Sequence, residues 1–92
     1  VALLSDAEIQ ARLVDLHGWS REGDAIFKRY ELASFPEAIE FVRRVADRAE
    51  AANHHPDIAV YYRAVVLTLS THSEGGITQK DIDAAGTFDA AL

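Results

Sequence analysis

Apolar residues recur along this chain at two periods, and each change of period marks a new element. Ile9, Leu13 and Leu16 form a stripe at helical spacing. In front of it, Ser5-Asp6-Ala7-Glu8 reads as a capping box, with Leu4 and Ile9 at the staple positions. Gly18 predicts the stop, because glycine takes the left-handed conformation at little steric cost. His17 falls in the last turn, where a helix dipole favours a cationic side chain. The period then shortens. Trp19 to Glu22 and Ala25 to Leu32 read as the strands of a hairpin turning at Gly23-Asp24. Ile26, Tyr30 and Leu32 share one face of the return strand. Lys28 interrupts that face, which predicts a strand near an edge or only half covered.

Ser34-Phe35-Pro36-Glu37 is a second capping box, with proline in the first turn where its missing N–H does no harm. Phe35, Ala38, Ile39, Val42, Val45, Ala46 and Ala49 then make a wide apolar face, with Phe41 widening it. Arg43, Arg44, Asp47 and Arg48 take the other side. A face this wide suits a monomer core alone, and equally a core plus a partner subunit. The helix should end near Asn53, because Pro56 disfavours helical geometry at the residue before it. Ile58 to Tyr62 and Val65 to Ser70 are rich in β-branched and aromatic residues and read as strands around a turn at Arg63-Ala64. Thr78-Gln79-Lys80-Asp81 is a third capping box, opening a last helix from Gln79 to about Ala90.

The order is helix, strand, strand, helix, strand, strand, helix. Two hairpins without a parallel crossover predict an α+β fold: a four-stranded antiparallel sheet with three helices on one face. At 92 residues the chain, 1–92, reads as a single domain.

Charge narrows the partners. Nine basic against 15 acidic residues leave a formal net charge of −6, which argues against direct binding to nucleic acid, where neutralising phosphates dominates affinity. With no cysteine, disulfides and thiolate metal sites are excluded, and a cytoplasmic protein is expected. No run has transmembrane length, and the first residues lack the basic flank of a secretion signal.

Three of the four histidines lie between Glu50 and Asp81. His54 and His55 are adjacent and directly precede Pro56; His72 follows a strand and precedes Gly75-Gly76. Histidine is the side chain that gives and takes protons near neutrality, so three of them at element ends, flanked by carboxylates, suggest a proton-handling site. Glu50 and His54 are four apart and share a helix face if the helix persists that far. His54 and His55 on helical backbone would point about 100° apart, which disfavours shared chelation, and no familiar zinc spacing is present; no metal is expected. The glycines after His72 would let a ligand approach the backbone. Asp81 is explained by its capping box and is also placed to orient a histidine. The residues alone indicate acid–base work on a neutral, planar or polar ligand and do not name it.

These residues together resemble the pterin-4a-carbinolamine dehydratase family. The pattern is Glu50, His54-His55-Pro56, Tyr62, His72 and Asp81 at the family spacing, and Asn53, Thr68, Ser70-Thr71, Gly75-Gly76, Thr78 and Lys80 fit as well. So do Gly18-Trp19 and the helix carrying Phe35, Ala38, Phe41 and Val42. The resemblance implies loss of water from a 4a-hydroxytetrahydropterin, giving a quinonoid dihydropterin in the recycling of tetrahydrobiopterin. The pterin would be the substrate, with no other cofactor. It implies His54 and His72 as the leading acid–base pair and His55 as assisting or binding. Glu50 and Asp81 would orient the histidines and tune them, and Pro56 would fix the turn. Asp57, Ser70, Thr71 and His72 would contact the pterin. A homodimer or homotetramer joined through sheet edges and the long helix is implied, together with a functional link to an aromatic amino acid hydroxylase. Ile58 stands where many relatives carry an aromatic residue, and Asp57 where many carry glutamate. An alternative within the same family is a non-catalytic module, such as a dimerisation cofactor for a homeodomain transcription factor. Another is the same site acting on a different pterin.

Overall fold

Residues 2–92 are described here in a computed structural model. The elements are α1 (Asp6–Leu13), β1 (Ser20–Glu22), β2 (Ala25–Glu31), α2 (Phe35–Ala52), β3 (Asp57–Tyr61), β4 (Ala64–Leu69) and α3 (Gln79–Asp89), with a 3-10 turn at His72–Glu74 between β4 and α3. The order and the α+β class are those expected from the periodicity. The four strands are antiparallel throughout and lie in the order β1-β2-β4-β3.

Register sets the two faces of the sheet. Ile26 pairs with Leu69 and Tyr30 with Val65, while Ile58 pairs with Leu67. Cross-strand partners point the same way, so Ile26, Tyr30, Val65, Leu67 and Leu69 form one buried layer. Against it the helices bring Ile9 from α1, Ala38, Phe41, Val45 and Ala49 from α2, and Ala84, Ala85 and Phe88 from α3. Tyr30 and Phe41 meet at 4.7 Å between ring centroids, near the middle of the core.

Local chemistry accounts for where the elements begin. The Ser5 hydroxyl accepts from the Glu8 N–H at 3.1 Å, and the Glu8 carboxylate accepts from the Ser5 N–H at 2.9 Å. The Ser5 backbone N–H, and after it the Ser5 hydroxyl, hold the Glu8 carboxyl below its ordinary range. Thr78 and Asp81 close the same reciprocal box on α3. At α2 only half of the box forms: the Ser34 hydroxyl accepts from the Glu37 N–H at 3.2 Å, with Pro36 in the first turn.

Three features differ from expectation, two of them boundaries. α1 stops at Leu13 rather than running to Gly18. Its last carbonyls are taken up by tight i→i+3 bonds, Arg12 to Asp15 and Leu13 to Leu16. Gly18, at φ +86°, then redirects the chain, and a Cβ there would lie 2.9 Å from Lys28 Cε. The second hairpin turns at Tyr62-Arg63, one residue earlier than predicted, with Tyr61 facing Ala64. Tyr62 takes φ +57°, uncommon for an aromatic residue. Its ring stacks on Phe35 at 6.4 Å, and the Arg63 guanidinium lies 5.6 Å from its centroid.

The third difference concerns Lys28. β2 is an inner strand, bordered by the three-residue β1, and Lys28 points toward the helices. It is tolerated because Asp89, at the end of α3, accepts from Lys28 Nζ at 3.0 Å, from the Tyr30 hydroxyl at 2.6 Å and from Trp19 Nε1 at 3.2 Å. Burial, followed by the bond to Asp89, pushes the Tyr30 hydroxyl above its ordinary range, so it remains a donor.

Asp89→Ala would strand these three donors and should destabilise the fold by roughly 1–3 kcal/mol in urea denaturation. Asp89→Asn keeps an acceptor and should lose less. Phe41→Ala should be the larger loss, about 3–5 kcal/mol. Near-neutral Asp89→Ala stability would refute the account of Lys28.

Candidate functional site

The site begins where α2 ends. Asn53 adopts the left-handed conformation, φ 51° and ψ 42°. The His54 N–H bonds back to the Ala49 carbonyl at 3.1 Å, and the Asn53 N–H to Glu50 at 3.2 Å. This closure releases the chain from helical geometry one residue before the histidine pair. His54 and His55 therefore leave the helix in different directions.

His54 turns inward. Its side chain is 13% exposed, and its Nε2 lies 2.6 Å from Asp81 Oδ1. Asp81 is fully buried at the first turn of α3. Its other oxygen accepts from the Thr78 N–H at 2.9 Å and from the Thr71 hydroxyl at 2.8 Å. The Thr71 and Thr78 hydroxyls are themselves 2.8 Å apart. Each hydroxyl has one hydrogen. Thr71 spends its hydrogen on Asp81, so Thr78 donates to Thr71. Thr78 in turn accepts from the Lys80 N–H at 3.2 Å. Among the described residues no buried side-chain polar atom lacks a partner.

His55 turns outward and bonds through Nε2 to Glu50, both exposed. The expected sharing of a helix face by Glu50 and His54 is thus corrected: Glu50 holds His55, and His54 belongs to Asp81. The left-handed turn at Asn53 is the reason, since the i,i+4 relation ends with the helix. His72 sits on the 3-10 turn, exposed, and its ring bonds to none of the described residues. That turn is held by the Thr71–Gly76 bridge and by the Gly75 N–H bonding to the Thr71 carbonyl at 3.0 Å.

The three histidines border one concavity of about 350 Å³, with Asn53, Ser70, Thr71, Ser73 and Lys80 completing it. Glu50 and Asp81 bond to His55 and His54 from outside the lining, and half-buried Pro56 also lies outside it. Asp57 lines a neighbouring concavity that also reaches Ser70 and His72. Lys80 and Ser73 line the first site without having been assigned a role in it. Lys80 was legible as part of the third capping box and of the family pattern, Ser73 only as a loop residue. Asp24 was missed altogether: it arrives on the first hairpin, where its carbonyl accepts from the Ser70 hydroxyl at 2.7 Å, and nothing local signals that contact.

The model of the pterin 4 alpha carbinolamine dehydratase family matches residues 2–91. The chain belongs to this family. A relative from Roseiflexus castenholzii, provisionally named a pterin-4-alpha-carbinolamine dehydratase, is 58% identical over 91 residues, covering 99% of this chain and 98% of its own. One of the same provisional name from Koribacter versatilis is 52% identical over 86 residues, covering 94% and 92%. Among solved structures, a transcriptional coactivator/pterin dehydratase from Brucella melitensis superposes with a TM-score of 0.92 at 34% identity, covering 97% of each chain. A pterin dehydratase-like protein described as a RuBisCO assembly factor in the alpha-carboxysome gives 0.70 at 26% identity, covering 82% of this chain and 89% of that one. The family fold carries both kinds of description. No helix among the described residues is long and apolar enough to cross a membrane.

The geometry fixes a tautomer. With Asp81 as a carboxylate, His54 carries hydrogen on Nε2, and Nδ1 of the neutral ring is the acceptor. Nitrogen-15 NMR of the neutral protein should show this form, and the opposite tautomer would break the assignment. Thr71→Val removes the donor to Asp81 and the acceptor for Thr78, and should cost roughly 1–3 kcal/mol of stability. Unchanged urea denaturation would show that the buried chain is not needed.

Proposed function

We propose that this protein dehydrates a 4a-hydroxytetrahydropterin to the quinonoid dihydropterin, with histidines as general acid and base. The observation that carries the reading is the convergence of His54, His55 and His72 on one polar concavity, with His54 held by a buried carboxylate. Family membership supports it. In the reaction the C4a–O bond breaks, N5 loses its proton, a C4a–N5 double bond forms and water leaves. One group must protonate the departing hydroxyl, and another must take the N5 proton. His54 and His72 are assigned to these tasks. His54 is held at Nε2 and offers Nδ1, while His72 has both ring nitrogens free to exchange. His55, tethered by Glu50 at the rim, assists binding. Each proton transfer by a positioned side chain contributes about 10²–10⁴-fold. The substrate itself is the pterin, and no further cofactor is invoked. Supply of that substrate by an aromatic amino acid hydroxylase, and a cytoplasmic setting, belong to the same proposal.

The expected result is acceleration of the dehydration of synthetic 4a-hydroxytetrahydropterin, followed by absorbance. His54→Ala and His72→Ala should each lose about 10²-fold or more, and His55→Ala less. A folded wild type no faster than buffer would overturn the enzyme reading. It would favour the second one, a non-catalytic interaction module, which the likeness to an assembly factor supports.

We also propose self-association through the free edge of β3. Ile58 and Val60 point to the helical side of that edge strand and are each 38% exposed, and Phe35 and Ile39 of α2 are exposed as well. An edge strand offers unpaired backbone groups, and a second copy running antiparallel would satisfy them while covering this apolar strip. Light scattering should give a dimer or tetramer that Val60→Lys dissociates. A monomeric wild type would reject the interface.

A further inference from the structure

The histidine concavity does not end at His72. Ser70 and His72 also line a second concavity of about 370 Å³, whose other walls include Asp24, Ala25, Asp57 and Thr68. Beyond it, Ala25 and Thr68 border a third hollow of about 290 Å³ that reaches Phe27, Val66 and Glu22. Strand register explains the continuity. Thr68 on β4 faces Phe27 on one side and Asp57 on the other. These side chains form one row across the sheet face that carries no helix.

The charge of this extension is one-sided. Asp24, Asp57 and Glu22 supply three carboxylates along it, and neither lysine nor arginine lines either hollow. None of the three makes an ion pair with the described residues. Carboxylates accept from hydroxyls and repel anions. The Ser70 hydroxyl donates to the Asp24 carbonyl, so its hydrogen is taken and its oxygen is left as an acceptor. The extension therefore matches a short chain of hydroxyl groups and opposes a carboxylate or phosphate.

We infer that the site selects pterins by the charge of the substituent next to the reacting ring, taking neutral hydroxylated substituents along the Asp24–Asp57 groove and rejecting anionic ones. The inference rests on the pterin reading above: the ring occupies the histidine concavity, and the substituent passes between Ser70 and His72.

The test is equilibrium binding at low salt, read by quenching of pterin fluorescence. The probes are 6-hydroxymethylpterin, which is neutral at its substituent, and 6-carboxypterin, which is anionic. The neutral ligand should bind about tenfold more tightly, from Coulomb repulsion in a solvent-exposed groove, and the ratio should shrink as salt is added. Asp24→Asn with Asp57→Asn should bring the ratio toward one, and Asp57→Lys should favour the anion. Both positions are exposed, and circular dichroism checks that the variants fold. Equal binding of the two ligands, or a ratio that neither variant moves, overturns the inference. Parallel dehydration assays separate the two levels. A protein that discriminates but does not dehydrate loses the catalytic reading and keeps this one. A dehydratase indifferent to substituent charge does the reverse, and binding of neither ligand overturns this inference while the dehydration assay decides the catalytic reading.

Discussion

A buried carboxylate must be satisfied on all sides, and Asp81 imposes that requirement on three parts of the chain. It has no solvent to fall back on, so each of its oxygens needs a protein donor. One comes from its own helix start, the Thr78 N–H; one from the end of β4, the Thr71 hydroxyl; and one from the end of α2, the His54 ring. The start of α3 thereby fixes both the loop that carries His72 and the turn that carries His54. The N-terminal end of a helix suits a negative charge, so the same residue caps the helix and orients the imidazole. Capping and site-building are one interaction here.

The rest of the molecule supplies a rigid mount for that arrangement. The inner strands β2 and β4 present a continuous buried layer, and α2 and α3 close over it. At the far end of α3, Asp89 gathers Trp19, Lys28 and Tyr30. The helix is thus held by an acidic residue at each end, one serving the site and the other the core. A lysine that points inward from a central strand is tolerated only because that second carboxylate meets it. The side of the sheet without helices stays open, and this leaves the His72 end of the site continuous with a solvent-facing groove.

The sequence made the elements legible because their signals are local. Ser5-x-x-Glu8 and Thr78-x-x-Asp81 announce helix starts through contacts within one turn, and the β-branched content of Val65 to Ser70 announces a strand. The three histidines and two carboxylates were visible as a cluster for the same reason. Their pairing was not. Four-residue spacing pointed to Glu50 with His54, but a left-handed Asn53 ended the helix and gave Glu50 to His55. The turn at Tyr62-Arg63 was displaced because its positive φ falls on a tyrosine, held by Phe35 and Arg63, where glycine or asparagine would have flagged it.

By itself the sequence determined the order of elements, the antiparallel hairpins, the helix starts and the residues able to exchange protons. Propensity, capping and periodicity act over one or two turns, and a single chain displays them directly. Only the tertiary structure decided which carboxylate holds which histidine, that Lys28 is paired inside the sheet, and that Asp24 reaches Ser70. Those contacts join residues 27, 46 and 61 positions apart. They follow from sheet order and helix packing, which no local pattern encodes.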